Sequence, residues 1–122
     1  MVNTCRKILY YNGRTIILHD YRNLQGKAYI EAVEYNGKMG QESALQERLI
    51  LMDVSDSIVD KEVMKAFKRV SQKASSTVSK TAVVGVKGIQ KIFISTVAAI
   101  SGIDIQTFNN QEEAKEWLTR RR

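Results

Sequence analysis

The sequence predicts a single α/β domain whose mixed, mostly parallel sheet has about five strands and is covered by about four helices. Three observations lead to this fold class. The chain has 122 residues, which is enough for one hydrophobic core. Two β-type runs at its start are joined through Asn12-Gly13, the strongest short signal for an antiparallel hairpin. After the hairpin, short apolar runs alternate with segments of helical periodicity, which indicates parallel strands with right-handed crossovers.

Five runs rich in β-branched, aromatic and other apolar residues are predicted as strands. They span residues 7–12, 15–20, 48–54, 80–86 and 104–109. The third run is apolar up to its final acid, as expected of a central strand that is buried on both faces.

Four segments have the apolar spacing of a helix that packs along one side. They span residues 24–35, 60–75, 88–101 and the segment from 110 onwards. The first is expected to carry inward Leu24, Ala28, Ala32 and Tyr35. The second is expected to carry inward Val63, Phe67, Val70 and Ala74. The last is expected to carry inward Ala114, Trp117 and Leu118.

Polar residues and glycines mark the ends of these helices. Asn23 is a candidate cap for the first helix, and Gly102 takes the glycine position that commonly ends a helix such as the third. Asn110 followed by Glu113 predicts a capping box for the last helix. Residues 36–44 contain Asn-Gly and a further glycine, so we predict a loop there.

Charge and composition narrow the classes of function. The last three arginines supply half of the net charge of +6, and the other basic residues are interleaved with acids, so a nucleic-acid surface is disfavoured. No apolar run is long enough for a membrane span, and the first residues lack a signal peptide's apolar centre. With Cys5 as the single cysteine, we expect a cytoplasmic protein without an intrachain disulfide. Residues 1–5 and 120–122 are expected to be frayed ends.

Three stretches resemble a known family. The longest, residues 82–118, reads AVVGVKGIQKIFISTVAAISGIDIQTFNNQEEAKEWL. Upstream lie RLILMDVSDSIVDKEVMKAFK and DYRNLQGKAYIEAV. Together they resemble small bacterial STAS-like proteins, relatives of the anti-sigma-factor antagonist domain that share their fold with lipid-binding SEC14-type domains. The resemblance covers residues 8–118 and implies a STAS-like fold and a regulatory role, although a fold by itself does not imply a function.

The loop after the central strand contains four polar residues, Asp53, Ser55, Asp56 and Ser57. Open α/β sheets bind ligands at this end of their strands, and the resemblance implies a phosphorylatable serine at a helix start here. This chain lacks the following glycine, and its helix begins later, near Asp60, so phosphorylation stays an open alternative. The other interpretations are a metal site made of carboxylates or a polar loop that bonds only its own backbone.

The segment VVGVKG, residues 83–88, forms a predicted strand-to-helix turn with Gly85 and Gly88. Its glycine spacing matches neither a Walker loop nor a dinucleotide-binding loop, so we interpret the turn as structural first. Lys87 stands beside the N-terminus of the next helix, where an anionic group of a partner could dock. Because this turn and the preceding loop both follow parallel strands, we expect them to form one surface at the same end of the sheet, and we predict that this surface contacts a regulatory partner.

The third helix is apolar on more than one side. At 100° per residue the predicted inward stripe consists of Ile89, Ile92, Phe93, Val97 and Ile100. Ile94 and Ala98 fall outside that stripe, near Lys91. A helix that is apolar beyond one stripe needs a second surface to contact. We therefore predict an oligomer or partner face at Lys91, Ile94 and Ala98.

His19 and Cys5, the only histidine and the only cysteine, both belong to the hairpin region. A catalytic pair would also need an orienting group, and the chain has no metal-ligand spacing, so we predict neither an enzyme nor a metal or cofactor site. The prediction is a non-enzymatic regulatory or protein-interaction module, with a protein partner or a second copy of the chain as its target. The alternative is a carrier domain for a small molecule or lipid.

Overall fold

The structure, a computed structural model, describes residues 5–43, 48–74 and 78–120. Within these ranges the strands are β1 (Arg6–Tyr11), β2 (Arg14–Asp20), β3 (Leu49–Asp53), β4 (Lys80–Val84) and β5 (Asp104–Phe108). The helices are α1 (Gly26–Glu42), α2 (Lys61–Ala74), α3 (Ile89–Ser101) and α4 (Gln111–Thr119). Most of the two predicted frayed ends lies outside the described residues, but Cys5 is buried rather than frayed.

The strands form one sheet in the order β1-β2-β3-β4-β5. β1 and β2 pair antiparallel, whereas β2, β3, β4 and β5 pair parallel with their neighbours. Asn12 and Gly13 join the hairpin, with φ values of 51° and 74°. Asn-Gly adopts such left-handed turns with little strain, and their twist suits an antiparallel ribbon. The predicted fold class, a mostly parallel sheet that starts with a hairpin, is confirmed.

Helices cover both faces of the sheet, which gives three layers. Helices α1, α2 and α3 pack on one face, around a core cluster that includes Tyr21, Tyr29, Val33, Val63, Phe67 and Val83. Helix α4 packs on the other face, against a cluster that includes Leu18, Leu51, Val84, Ala114 and Leu118. None of the helices in the described ranges combines the length and the hydropathy that a transmembrane segment needs.

Helix α1 is longer than predicted, because residues 36–42 continue the helix instead of forming a loop. Asn36 is buried, and its Nδ2 donates to Tyr21 Oη at 3.0 Å and to Cys5 O at 3.5 Å. At Gly37, an added Cβ would lie 2.8 Å from Val70 Cγ1 of α2. Asn36 and Gly37 therefore allow close packing of α1 on α2, and the turn predicted at this Asn-Gly pair is wrong.

The start of α1 also differs from the prediction. Asn23 has a left-handed φ of 63° and precedes the helix, which begins at Gly26 after Gln25, without a side-chain cap. The inward side of α1 also differs from the predicted one, because Tyr29, Ala32 and Val33 are buried whereas Ala28 is exposed.

The ends of the other helices follow the sequence closely. Asp60 Oδ1 accepts from Val63 N–H at 2.9 Å at the start of α2. Gly102 ends α3 in the left-handed region, and Asn110 Oδ1 accepts from Glu113 N–H at 2.9 Å at the start of α4. Short polar side chains and a glycine thus satisfy backbone groups that a helix end leaves unpaired.

Candidate functional site

The loops that follow β2, β3 and β4 meet at the carboxyl edge of the sheet. We call residues 21–24, 53–58 and 85–88 the carboxyl-edge platform. Its loops are joined by backbone hydrogen bonds of 2.9 to 3.1 Å: Tyr21 N–H to Asp53 O, Asn23 N–H to Ser55 O, Val54 N–H to Val84 O and Ile58 N–H to Leu24 O. The two predicted site segments therefore do lie side by side, and their backbones are fixed to each other.

The carboxylate of Asp53 links the platform to α4 through hydrogen bonds. Its side chain is buried, and Oδ1 accepts from Ser55 N–H at 3.0 Å and from Ser55 Oγ at 2.6 Å. Oδ2 accepts from Gln111 Nε2 of α4 at 2.9 Å. Since both carboxylate oxygens are engaged by protein donors, Asp53 acts here as a structural link between β3 and α4. Gln111 lies 58 residues away along the chain, and no local pattern in the sequence could reveal the contact.

Gly85 lies directly against Ser55. Its φ is 87°, and an added Cβ would lie 2.7 Å from both the Cα and the backbone N of Ser55. The close backbone approach expected from the sequence is therefore present, and it holds the β4–α3 turn against the loop after β3. Ser55 is half-buried between Gly85 and Asp53.

The remaining serine of the loop, Ser57, points into the domain. It is buried, and its Oγ donates to Val54 O at 2.7 Å and lies 3.0 Å from Tyr29 Oη. Burial raises the pKa of Tyr29 to about 12. The helix-start position that the resemblance assigns to a phosphorylatable serine is occupied by Asp60, which caps α2.

The exposed part of the platform combines charge with an apolar side chain. Lys87 Nζ lies 3.8 Å from Asp56 Oδ1, and both side chains remain mostly in solvent. Such an exposed pair contributes little to folding, about 0–1 kcal/mol. Ile58, two residues after Asp56, is 56% exposed. Gly88, with a φ of 40°, precedes α3 without a side-chain cap.

The predicted outer face of α3 is partly wrong. Ile94 is half-buried and packs against the core cluster beneath α1 and α2, on the same side as the buried Val97. Its apolar character is therefore explained within the domain. The side chains of Ile89, Ile92, Phe93 and Ile100 lie outside the part that the structure describes. Lys91 is exposed and Ala98 half-buried, and their contact with a partner stays a prediction.

A cavity of about 110 Å³ lies between the sheet and helices α1, α2 and α3. Most of its wall is apolar, with Met52 and Val83 from the sheet, Val70 from α2, and Ile94 and Val97 from α3. Among the described residues that line it, none carries a carboxylate, ammonium or guanidinium group. The cavity was not predicted, because it depends on how three helices pack together.

Three buried polar side chains line this cavity, those of His19, Asn36 and Thr81. Neither imidazole nitrogen of His19 has a hydrogen-bond partner among the described residues. The same is true of Asn36 Oδ1. Burial, aided by the positive charge of Arg6, lowers the pKa of His19 to about 3, so the ring is neutral at neutral pH. One pattern in the sequence indicated that His19 is buried. In an extended strand His19 shares a face with Ile17 and Tyr21, two residues before and after it, and both are buried.

The structure does not support a catalytic pair of Cys5 and His19. Cys5 Sγ lies 3.9 Å from Ala32 O, and burial raises the pKa of the thiol, which keeps it protonated. The described residues contain no cluster of three or more His, Cys, Asp or Glu side chains arranged to hold a metal ion.

Comparison with known proteins agrees with this geometry. The model of the SpoIIAA-like family matches residues 7–119. A crystal structure of an uncharacterised DUF3478-family protein from Shewanella loihica PV-4, described as having a SpoIIAA-like fold, superposes with a TM-score of 0.68 at 13% identity. The match covers 93% of this chain and 91% of that chain, and at this identity it shows the fold alone. No curated protein matches significantly. Because the family match extends over nearly the whole chain, this protein belongs to the SpoIIAA-like family.

Proposed function

We propose that this protein is a non-enzymatic, cytoplasmic regulatory module that binds another protein through the carboxyl-edge platform. The observation that carries the proposal is the exposed Ile58, which lies two residues after Asp56 on loops whose backbones are hydrogen-bonded to each other, with Lys87 at 3.8 Å from Asp56. A preorganised apolar side chain with charges at its rim is the arrangement that protein interfaces use, because little conformational freedom is lost on binding.

The inner residues of the platform have a supporting role in this proposal. Asp53, Ser55 and Gly85 fix the loops and are too enclosed to be the contact themselves. Ser57 is enclosed as well, so a kinase would reach it only after local opening of the loop. The residues that contact the partner protein in this proposal are therefore Asp56, Ile58, Lys87 and Gly88. The partner is either a different protein or a second copy of this chain.

The test starts by capturing the partner from the native cell and then uses both purified proteins. Calorimetric titration should give a Kd that is at least tenfold weaker for Ile58→Asp and for Lys87→Glu. The matched controls are Ile8→Asp, an exposed isoleucine on the edge strand β1, and Lys38→Glu, an exposed lysine on α1. The proposal fails if the controls weaken binding as much as the platform variants do. Light scattering of the purified chain distinguishes self-association from binding to a different protein.

A carrier domain is the second candidate function, and the cavity beneath α1, α2 and α3 is the observation that favours it. The cavity lies between the sheet and these helices, and Tyr21, Val54 and Val86 of the platform line it, but the exposed Ile58 and Lys87 do not. The two functions can therefore be tested separately, and both can hold.

A further inference from the structure

We propose that the outer strand β1 pairs antiparallel with β1 of a second copy of this chain, which joins two five-stranded sheets into one across a two-fold axis at Leu9. This inference concerns a different surface from the platform and does not depend on the proposed function. It rests on an open strand edge, on two exposed apolar side chains along that edge and on the distribution of charge around it.

The edge of β1 is regular and open. Because β1 is the first strand in the sheet order, its backbone pairs with β2 alone among the described residues. The register with β2 runs from Arg6 to Tyr11 without a bulge, and the strand contains no proline or glycine. The outward N–H and C=O groups of such an edge are a template for another strand, and proteins often block them with a bulge or a proline. β1 has neither block.

Two exposed apolar side chains lie along this edge. Among the described residues three large apolar side chains are exposed, and two of them are Ile8 at 46% and Tyr10 at 78%. They are two residues apart on one strand and so share a face of the sheet. Ile17 of β2, which pairs with Ile8, is buried, so the layer that covers β2 on this face leaves β1 uncovered. A second copy of β1 would cover Ile8 and Tyr10.

The opposite outer strand, β5, does not have these properties. Its exposed side chains are those of Asp104, Gln106 and Thr107, which are polar. Pairing through β5 would therefore bury little apolar surface and would desolvate a carboxylate. The apolar side chains favour β1 as the edge that meets a second chain.

Two-fold symmetry limits the possible registers. Residues directly opposite each other in an antiparallel pair lie on the same face, so one residue at the axis must face its own counterpart. With Leu9 at the axis, Ile8 lies opposite Tyr10 of the second copy, and this pair occurs twice. A β-branched side chain opposite an aromatic ring is a favourable cross-strand pair. With Ile8 at the axis, Tyr10 would instead face Arg6, so the register at Leu9 is favoured.

Charge favours the antiparallel direction. In an in-register parallel pair, the exposed Lys7 would lie beside Lys7 of the second copy, and like charges opposite each other destabilise a sheet. In the antiparallel register, Lys7 lies opposite Tyr11 of the second copy, and the Tyr11 hydroxyl donates to Glu116 Oε2 at 3.0 Å. The nearby Lys115 pairs with Glu112 at 3.6 Å. Lys7 of each copy is therefore directed towards the Glu116 carboxylate of the other.

The first experiment measures the mass of the purified chain by light scattering over a range of concentrations. We expect wild type to reach twice the mass of one chain. Ile8→Asp should weaken the dimer about tenfold or more, because a carboxylate would face Tyr10 of the second copy. Ile58→Asp, the same change at an exposed isoleucine of the platform, should leave the dimer unchanged, with circular dichroism confirming that both variants fold. The proposal is overturned if wild type is monomeric at millimolar concentration, or if Ile58→Asp weakens the dimer as much as Ile8→Asp does.

A charge exchange tests the direction of pairing. At low ionic strength Lys7→Glu and Glu116→Lys should each weaken the dimer about fivefold, and the double variant should return to within about twofold of wild type. Lys7 and Tyr11 of one strand are about 13 Å apart, so this recovery would reflect a contact between copies. Lys38→Glu, at an exposed position of α1, is the matched control and should leave the dimer unchanged. A double variant that is no better than the single variants overturns the proposal.

Oxidative cross-linking tests the register. Opposite residues in an antiparallel pair have Cα atoms about 4.5–5.5 Å apart, which a disulfide can span. Leu9→Cys should therefore form a covalent dimer, whereas Ile8→Cys, which is offset from its counterpart, should not. Wild type, whose Cys5 is buried, is the control. A cross-link at position 8 and none at position 9 overturns the proposal.

The two proposals fail independently. Ile8→Asp should bind the captured partner as tightly as wild type does, and Ile58→Asp should remain dimeric while it loses that partner. A dimer that only Ile58→Asp dissociates would place the second copy on the platform and would overturn the pairing of β1.

Discussion

Gly85 and Ser55 lie so close together that no side chain fits between them. The backbone of Gly85 is in the left-handed region, at φ 87°, and an added Cβ would lie 2.7 Å from backbone atoms of Ser55. Gly13 has a similar φ of 74° with nothing within 4 Å of its added Cβ. The two positions thus separate the effect of backbone conformation from the effect of packing.

Gly85→Ala should lower the free energy of unfolding by about 2–4 kcal/mol, the sum of a strained φ and an overpacked contact. Gly13→Ala, which meets no contact, should lower it by about 1 kcal/mol. Urea unfolding followed by fluorescence measures both. Equal losses in the two variants would show that the contact between Gly85 and Ser55 does not hold the platform.

His19 makes the stability of the domain depend on pH. Burial lowers its pKa to about 3 from an ordinary value of 6.5, so the unfolded chain takes up a proton at a pH where the folded protein does not. The stabilisation is complete above pH 6.5 and is lost as the pH falls towards 3. In that window His19 should lower the free energy of unfolding by about 1.4 kcal/mol per pH unit.

The measurement compares wild type with His19→Leu in urea unfolding at pH values from 7 down to 5. We expect the wild type to lose stability relative to His19→Leu as the pH falls below 6.5, by about 1.4 kcal/mol per pH unit. Parallel curves for the two proteins would mean that His19 is protonated in the folded state or accessible to solvent.

At the scale of secondary-structure elements, the packing of α1 on α2 explains a mistake of sequence reasoning. Asn36 and Gly37 have the composition of a turn, yet they lie in the middle of α1. The reason is tertiary: Asn36 bonds Tyr21 and Cys5, and Gly37 lets α2 approach closely at Val70. Weak local propensity is overridden where burial and hydrogen bonds favour the helix.

Gly37→Ala tests this contact, because alanine favours a helix by about 1 kcal/mol while its Cβ would lie 2.8 Å from Val70 Cγ1. We expect a net loss of about 1 kcal/mol in the wild-type background. In the Val70→Ala background, where the obstructing methyl groups are gone, the same change should stabilise by up to about 1 kcal/mol. A double-mutant cycle from urea unfolding measures the coupling, and additivity of the two changes would contradict the close packing.

At the scale of the whole molecule, the sequence predicted what local patterns determine. The hairpin at Asn12-Gly13, the order of strands and helices, and the cap at Asn110 depend on neighbouring residues, and the structure confirms them. The adjacency of the platform segments 53–58 and 85–88 was also predicted, because the carboxyl ends of parallel strands share an edge.

What the sequence could not reveal depends on contacts between distant segments. Ile94 was assigned outward, because a helical wheel alone cannot show which side of α3 meets α1 and α2. The link from Gln111 to Asp53 and the cavity at His19 likewise arise only when separate elements pack together. The described structure thereby removes Ile94 from the predicted partner face of α3, while a contact at Lys91 and Ala98 stays a prediction.

The central claim, that the platform is the contact surface, is tested most directly by chemical-shift mapping of the ¹⁵N-labelled protein with its captured partner. The account predicts that the largest backbone shifts fall within residues 21–24, 53–58 and 85–88. Shifts concentrated instead on the exposed edge strand β1 or around Lys91 and Ala98 of α3, with the platform unchanged, would contradict it.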